Sequence, residues 1–588
     1  MPVLSLSELN IVLGVLGTFP RSYLTPSHYL LGMRPWLTCF YLGTFILFYA
    51  IISVKIKQAW YLGEALPAVA FGVALGPIAA QFINSEKWGS AEPGQTSAIT
   101  LGVTRVMIGV QLVIAGYQLP EKYIIKRWKE MALCLLPVMT VMWLCTSACI
   151  MVTIPNITFI AALVIASCVT CIDPILSQEI AKGPFADKFV PRPLREIISA
   201  EAGANEGFGF LFLMLATYLI RHADVPSAGA GANRVVANST AEAVHAATHA
   251  LMARSDEVGR LGGGVAHALE TWFVETWLYV FALSIAYGFI VGYGACKVIK
   301  LGLKHKYIDD ESYVLFPTTL GLFIVGSCGA IGTDDLLACF VAGCALNWDG
   351  NYLRETETRH DQVNACIAIL LNFSGFMYIG AILPWESFHD PTGTGITLPR
   401  LFGLGFLVLA FRRLPAILTY YNAMPNVCKN WKEALFMGYF GPIGAGAVFY
   451  VEHALQLFPQ DGEGDEEETN LVRAMKPTVY WLVLFSIVIH GLSIPILNII
   501  YHFASKEMIK EDAVEVHRAS IRVATPNNAI AGDKDTFIAF NRFSRQVGSE
   551  APQLPVQKEL HYWSDDEHYI SEVDMEKRKS RLTWVDKV

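Results

Sequence analysis

Long apolar runs separated by short polar segments fill the chain from residue 36 to residue 503. A helix needs ~20 consecutive apolar residues to cross the hydrocarbon core of a bilayer. Runs of that kind fall at 36–54, 65–83, 98–119, 131–152, 158–180, 197–220, 272–298, 313–330, 332–346, 363–383, 401–420, 434–455 and 477–503. The pattern predicts an all-α polytopic membrane protein with about thirteen transmembrane helices. The eighth and ninth runs are short, and together they read as a hairpin broken around 329–333. Residues 1–35 form an N-terminal segment with a short apolar stretch at 4–16 and no basic region before it, which does not read as a signal peptide. Whether that segment adds a membrane helix stays open.

Composition agrees with the pattern. Hydrophobic residues make up 53 % of the chain and charged ones 16 %, and the mean hydropathy is +0.40. The net charge of −8 is concentrated in the tail and in the acidic loop 461–468, and gives no sign of a nucleic-acid partner. The 12 cysteines lie mostly inside apolar runs without metal-ligand spacing, so they read as small packing residues. No Walker motif, HExxH, GxSxG or CxxC pair is present, and no enzymatic activity and no cofactor are expected.

Every second loop is basic: Lys55 and Lys57; Lys122, Lys126, Arg127 and Lys129; Lys182, Lys188, Arg192 and Arg195; Lys297 to Lys306; Arg354 and Arg359; Lys429 and Lys432. The positive-inside rule makes these loops cytoplasmic, with the N-terminus outside and the C-terminus inside. An insertion at 221–270, rich in Ala, Gly and Ser, then lies outside the cell. It carries an amphipathic segment around 241–253 and the glycosylation sequon that begins at Asn238. The transmembrane domain thus occupies 36–503, and 504–588 reads as a largely disordered cytoplasmic tail.

Ionisable groups sit where a bilayer disfavours them. The fifth run carries Thr170, Asp173 and Pro174; the sixth carries Glu201, Asn205 and Glu206. A charge near the bilayer centre costs roughly 2.5–3.5 kcal/mol on insertion scales, so such residues are usually paired, facing water and functional. Pro174 has no N–H for the carbonyl of Thr170 and disfavours helical geometry at Asp173. A break there would offer a carbonyl, a hydroxyl and a carboxylate to a small hard cation. A kinked helix in which Asp173 merely caps the second half is the competing reading.

Asp334 and Asp335 stand at the start of the ninth run, either as accessory site residues or as a solvated helix cap. Arg412 and Arg413 lie inside the eleventh run, just before Pro415. A buried guanidinium calls for a carboxylate, and Glu201 paired with Arg412 is the expected structural ion pair, with Arg413 as the second candidate. The run Gly441-Pro-Ile-Gly-Ala-Gly-Ala reads as a small-residue strip for helix packing. Arg105 and Gln111 are lone polar residues for which a structural role is the simpler reading.

Taken together, Tyr61-Leu-Gly-Glu-Ala, Asp173-Pro174, Leu194-Arg-Glu-Ile-Ile-Ser-Ala-Glu-Ala-Gly-Ala-Asn-Glu-Gly, Gly332-Thr-Asp-Asp-Leu-Leu-Ala-Cys-Phe, Phe411-Arg-Arg-Leu-Pro, Gly441-Pro-Ile-Gly and Ile489-His-Gly-Leu-Ser resemble the fungal plasma-membrane Na⁺(K⁺)/H⁺ antiporters of the monovalent cation:proton antiporter superfamily. The resemblance covers residues 59–503. It implies inverted repeats with two crossed, discontinuous helices, a homodimer in the lipid bilayer, and exchange of monovalent cations for protons by elevator-like alternating access. It also implies that Asp173 and Glu206 hold Na⁺ and carry protons, that Asn205 stands beside them, and that Glu201 pairs with a membrane arginine. Asp334 and Asp335 match the family's acidic pair. There are two departures: Glu206 stands where the family has Asp, and Cys171-Ile172 stands where the fungal proteins usually have Pro-Thr. A cation channel or a non-transporting sensor on the same fold is the alternative that these departures leave open.

Overall fold

The structure is a computed structural model that describes residues 42–51, 56, 60–87, 94–224, 259–358 and 362–505, together with three strands between 513 and 540. The N-terminal 35 residues, Asn238 and the segment 241–253 lie outside the described residues.

Within residues 42–505 the described elements are helical. The first are α1 (Leu42–Ile51), α2 (Ala65–Leu75), α3 (Gln95–Tyr117) and α4 (Trp128–Thr153). Next come a broken helix, α5a (Phe159–Thr170) and α5b (Pro174–Lys182), and then α6 (Arg192–Arg221). The chain continues through α7 (Gly264–Lys304), α8 (Asp310–Ile331), α9 (Asp335–Leu346) and α10 (Gln362–Ala381). It closes with α11 (Leu398–Phe411), the halves α12a (Trp431–Tyr439) and α12b (Ala445–Leu455), and α13 (Glu466–Phe503). Eight described helical stretches are long and apolar enough to cross a membrane, with Leu398–Ala423 counted as one, and nine when the α5 pair, bent by 43°, counts as one span. Large apolar side chains such as Ile51, Phe273, Ile290, Phe406 and Ile499 cover the outer faces, as lipid contact requires.

The helices sort into two bundles. In one, α2 packs along α10, and α3 packs along α8 and α9, with α7 laid over α9. Lipid supplies no hydrophobic drive for helix association, so close backbone approach has to hold such a bundle. A Cβ added at Gly72 would overlap the Met377 carbonyl, and one at Gly380 the Val69 carbonyl, which leaves α2 and α10 touching backbone to backbone. The second bundle joins α4, α5a, α6, α11, α12b and α13. Within it a long helix, a broken helix and a long helix occur twice in the same order, as α4–α5–α6 and α11–α12–α13. We call the first bundle the scaffold and the second the core.

Three boundaries differ from the hydropathy reading. The eighth run extends to a full helix, α8, capped at Gly332 with φ +77°, and a turn at 332–334 leads into α9, which packs against it. The eleventh run is interrupted at Arg412 and Arg413 before a short helix, Leu414–Tyr420. The twelfth is interrupted at 440–444, where Gly441, Pro442 and Gly444 replace helix-forming residues. The segment 508–588 forms a separate unit. Within it β1 (Ala513–His517), β2 (Ala529–Ala531) and β3 (Thr536–Phe540) pair antiparallel in the order β1-β3-β2, inside a tail read as largely disordered.

Candidate ion-binding site

The two interruptions of the core meet each other. The Asp173 amide donates to the Pro442 carbonyl across them at 2.9 Å. An open backbone at membrane depth is stable only if its polar groups find partners, since each orphan costs several kcal/mol. Here side chains supply them. Arg412 donates to the carbonyls of Cys171 (2.9 Å) and Thr170 (3.3 Å) on one break and of Gly441 (2.7 Å) on the other. The Ile172 amide donates to Asn205 Oδ1 (3.4 Å), and the Ile443 amide to Ser486 Oγ (2.7 Å). His490 Nε2 lies 3.0 Å from the Tyr439 carbonyl.

Asp173 sits between the two half-helices that leave the crossing. Its Oδ1 accepts from the amides of Ile175 (3.0 Å) and Leu176 (2.9 Å), capping α5b. Its Oδ2 turns to the N-terminus of α12b, facing Gly444 and the amides of Ala445 and Gly446 without closing a hydrogen bond. One carboxylate therefore faces two helix N-termini, whose dipoles favour negative charge. The guanidinium of Arg412 occupies the opposite, carbonyl-rich side. Break and cap, set against each other as rival readings, coexist.

Glu206 is fully buried on α6, and its carboxylate lies against Gly446. Neither Oε1 nor Oε2 accepts a hydrogen bond from the protein, while its backbone carbonyl accepts from the Tyr450 hydroxyl. Asn205 spends Oδ1 on the first break and keeps Nδ2 without a protein partner. Asp334 caps α9 through Oδ1 (Leu337 amide, 3.0 Å), and its Oδ2 lies beside Gly207, next to Glu206, again accepting nothing. Asp335 turns away to Arg105 at 3.2 Å. Of the acidic pair one member faces α6 and the other pairs within the scaffold.

Two expectations need correction. The partner of Glu201 is Arg413, not Arg412: Arg413 Nη1 and Nη2 reach Oε1 and Oε2 at 2.7 and 2.8 Å, and its Nε donates to the Met437 carbonyl. Neighbouring residues on a helical backbone point about 100° apart, so the two arginines diverge, and Arg412 reaches the carbonyls of the breaks. Thr170 gives up its carbonyl as a cation ligand and keeps its hydroxyl oxygen. That group donates to the Ala166 carbonyl at 2.8 Å, and the freed carbonyl of Thr170 is taken by Arg412.

Sequence reasoning missed Glu452, His453, Tyr450 and Ser486. Glu452 and His453 are fully buried ionisable residues in an apolar run, the same signal that marked Asp173. Arg105 and Gln111 are paired structurally as read, Gln111 with Asn372 at 2.9 Å. Among the described residues no three His, Cys, Asp or Glu side chains form a ready-made metal group. What the crossing offers a small cation is the carboxylate oxygens of Asp173 and Glu206.

Residues 43–499 match the profile of the family described as sodium/hydrogen exchanger, transmembrane. The chain belongs to the sodium/hydrogen exchanger family. A Na⁺/H⁺ antiporter of Saccharomyces cerevisiae is 31 % identical over 480 residues, covering 80 % of this chain and 44 % of that protein. A probable Na⁺/H⁺ antiporter of Schizosaccharomyces pombe is 35 % identical over 472 residues, covering 78 % of this chain and 56 % of the relative. A second antiporter of the same yeast is 30 % identical over 464 residues, covering 78 % of this exchanger-family chain and 89 % of the relative. The chain spans about half the length of the first two of these relatives. In fold it is similar to the sodium proton antiporter MjNhaP1 from Methanocaldococcus jannaschii, with a TM-score of 0.52 at 13 % identity, covering 79 % of this chain and 99 % of that one.

Proposed function

We propose that this protein exchanges Na⁺, with Li⁺ and K⁺ as further cargo, for H⁺ across the plasma membrane by alternating access. The observation that carries this reading is the set of buried carboxylate oxygens on Asp173 and Glu206 that no protein donor satisfies. An unpaired buried carboxylate is strongly disfavoured as a bare anion and is stabilised by either a proton or a cation. Two such groups at one crossing make occupancy by Na⁺ and by H⁺ mutually exclusive, which is the requirement of an exchanger. Asn205 orients the crossing and cannot titrate. Asp334 acts as an accessory carboxylate from the scaffold side, and the pairing of Glu201 with Arg413 holds α6 to the end of α11 within the core.

The core would carry the site, and the scaffold would stay in the membrane and pair with a second copy as a homodimer. The alternation of basic loops supports an N-terminus outside and a C-terminus in the cytoplasm. The test is a pH-sensitive dye trapped in proteoliposomes, with Na⁺, Li⁺ or K⁺ added outside. Cation-driven proton flux supports exchange. Cation uptake with no proton movement would instead make the protein a channel.

A further inference from the structure

Each broken helix carries, beyond its break, a glutamate that hydrogen-bonds across the boundary between core and scaffold. On α5b, Glu179 Oε1 accepts from the backbone amide of Glu64, at the start of scaffold helix α2, at 3.0 Å. On α12b, Glu452 Oε2 accepts from the hydroxyl of Ser97, in the first turn of scaffold helix α3, at 2.5 Å. The two contacts join different half-helices of the crossing to different scaffold helices, α5b to α2 and α12b to α3. Glu179 stands six residues beyond Asp173, about 9 Å along the helix.

The contacts are built unequally. Glu452 is fully buried and held from the core side by Tyr480 Oη at 2.6 Å and Lys476 Nζ at 3.1 Å. Only its second oxygen crosses to the scaffold. Glu179 is half-buried, and its neighbours on the same segment add further crossings: Lys182 to Gln118 Oε1, and Lys188 Nζ to Tyr61 Oη at 2.8 Å. A Cβ on Gly63 would overlap the Glu179 carboxylate, so Gly63 leaves the room in which the contact forms.

From this we infer that Glu179 and Glu452 are a pair of carboxylate latches that tie the core to the scaffold through the two half-helices, and that each transport cycle requires them to open. Neither side chain touches the cation site, so both are positioning residues. The inference rests on the exchange reading above. A core that moves against the scaffold must shift these contacts, and charge-assisted hydrogen bonds of this kind are about twice as strong as neutral ones.

The experiment introduces cysteine pairs at Gly63→Cys with Glu179→Cys and at Ser97→Cys with Glu452→Cys. The background carries Cys366→Ser, since Cys366 is an exposed native thiol. The variants are reconstituted, treated with a short bifunctional methanethiosulfonate, assayed for Na⁺-driven proton flux, and assayed again after dithiothreitol. We expect the reduced pairs to exchange, the linked pairs to lose at least tenfold in rate, and reductant to restore it. Because linkage follows folding and reconstitution, a folding defect cannot imitate the arrest. Flux from a linked pair at the rate of its reduced form overturns that latch. Proton flux absent from the unlinked parent overturns the exchange reading and the latches with it.

Discussion

Asp173, Asn205, Glu206 and Glu201 were legible as residues before any coordinates, because an ionisable group inside an apolar run has few explanations. Their partners were not legible. Which of two adjacent arginines turns to Glu201 depends on local backbone geometry, and a run of apolar letters does not reveal that the helix stops at Arg412. The geometry makes the two arginines separable by mutation. Arg413→Ala strands a fully buried Glu201 and should lower stability by ~3–5 kcal/mol, the usual result of removing one member of a buried pair. Adding Glu201→Ala should recover part of that loss. Arg412→Lys keeps a charge but gives up the planar fork that spans three carbonyls, and it should lower thermal stability without depending on Glu201. Thermal unfolding of these variants in detergent decides this, and the wrong arginine is assigned to Glu201 if Arg412→Ala is the change that Glu201→Ala compensates.

On the exchange reading, Glu206 is the residue on which transport would depend most directly. Glu206→Gln preserves shape and removes the group that alternates between proton and cation. The variant should insert and unfold like the parent while cation-driven proton flux falls at least a hundredfold. Glu206→Asp shortens the reach by one methylene toward a site bounded by Gly446, and it should retain exchange with an altered Na⁺/K⁺ preference. Parental flux from the Gln variant would leave Asp173 as the sole carrier.

At the scale of elements, one break was visible and its counterpart was hidden. Pro174 follows an acid and disrupts the helix on grounds of backbone chemistry alone. The second break lies in Gly441-Pro-Ile-Gly, which reads equally well as a smooth strip for helix packing. Only the carboxylates lying against Gly444 and Gly446 show why those positions lack side chains. A Gly446→Ala change places a methyl group on the Glu206 carboxylate. It should cut exchange by at least tenfold and leave expression close to the parent, as read by flux at matched protein amount. The strands of the tail were missed for a different reason. The alternation in Ala513-Val-Glu-Val-His spans five residues, too few to stand out in a polar segment.

For the molecule as a whole, hydropathy located the apolar helices and their order, and among the described residues eight or nine of them are long enough to span a membrane. It could not sort them into scaffold and core, because that division is made by contacts between helices far apart in sequence. The exchange reading depends on the division. Asp173, Glu206 and Arg412 all belong to the core, whereas Asp334 belongs to the scaffold.

Arg412 grips both breaks, and the Asp173 amide joins them a second time. On the exchange reading, the crossing would therefore travel as a single rigid body with almost no internal freedom. A binding site carried without deformation has the same intrinsic preference for its cargo whichever compartment it faces. The exchanger should then run equally well in either direction, its net flow set by the gradients alone. Apparent Na⁺ affinities measured from the two faces of the membrane, with pH equal on both sides, should agree within about threefold, ~0.6 kcal/mol. A larger disparity would mean that a group left behind on the scaffold, Asp334 first among them, contributes to the site on one side only, and Asp334→Asn should then abolish the difference.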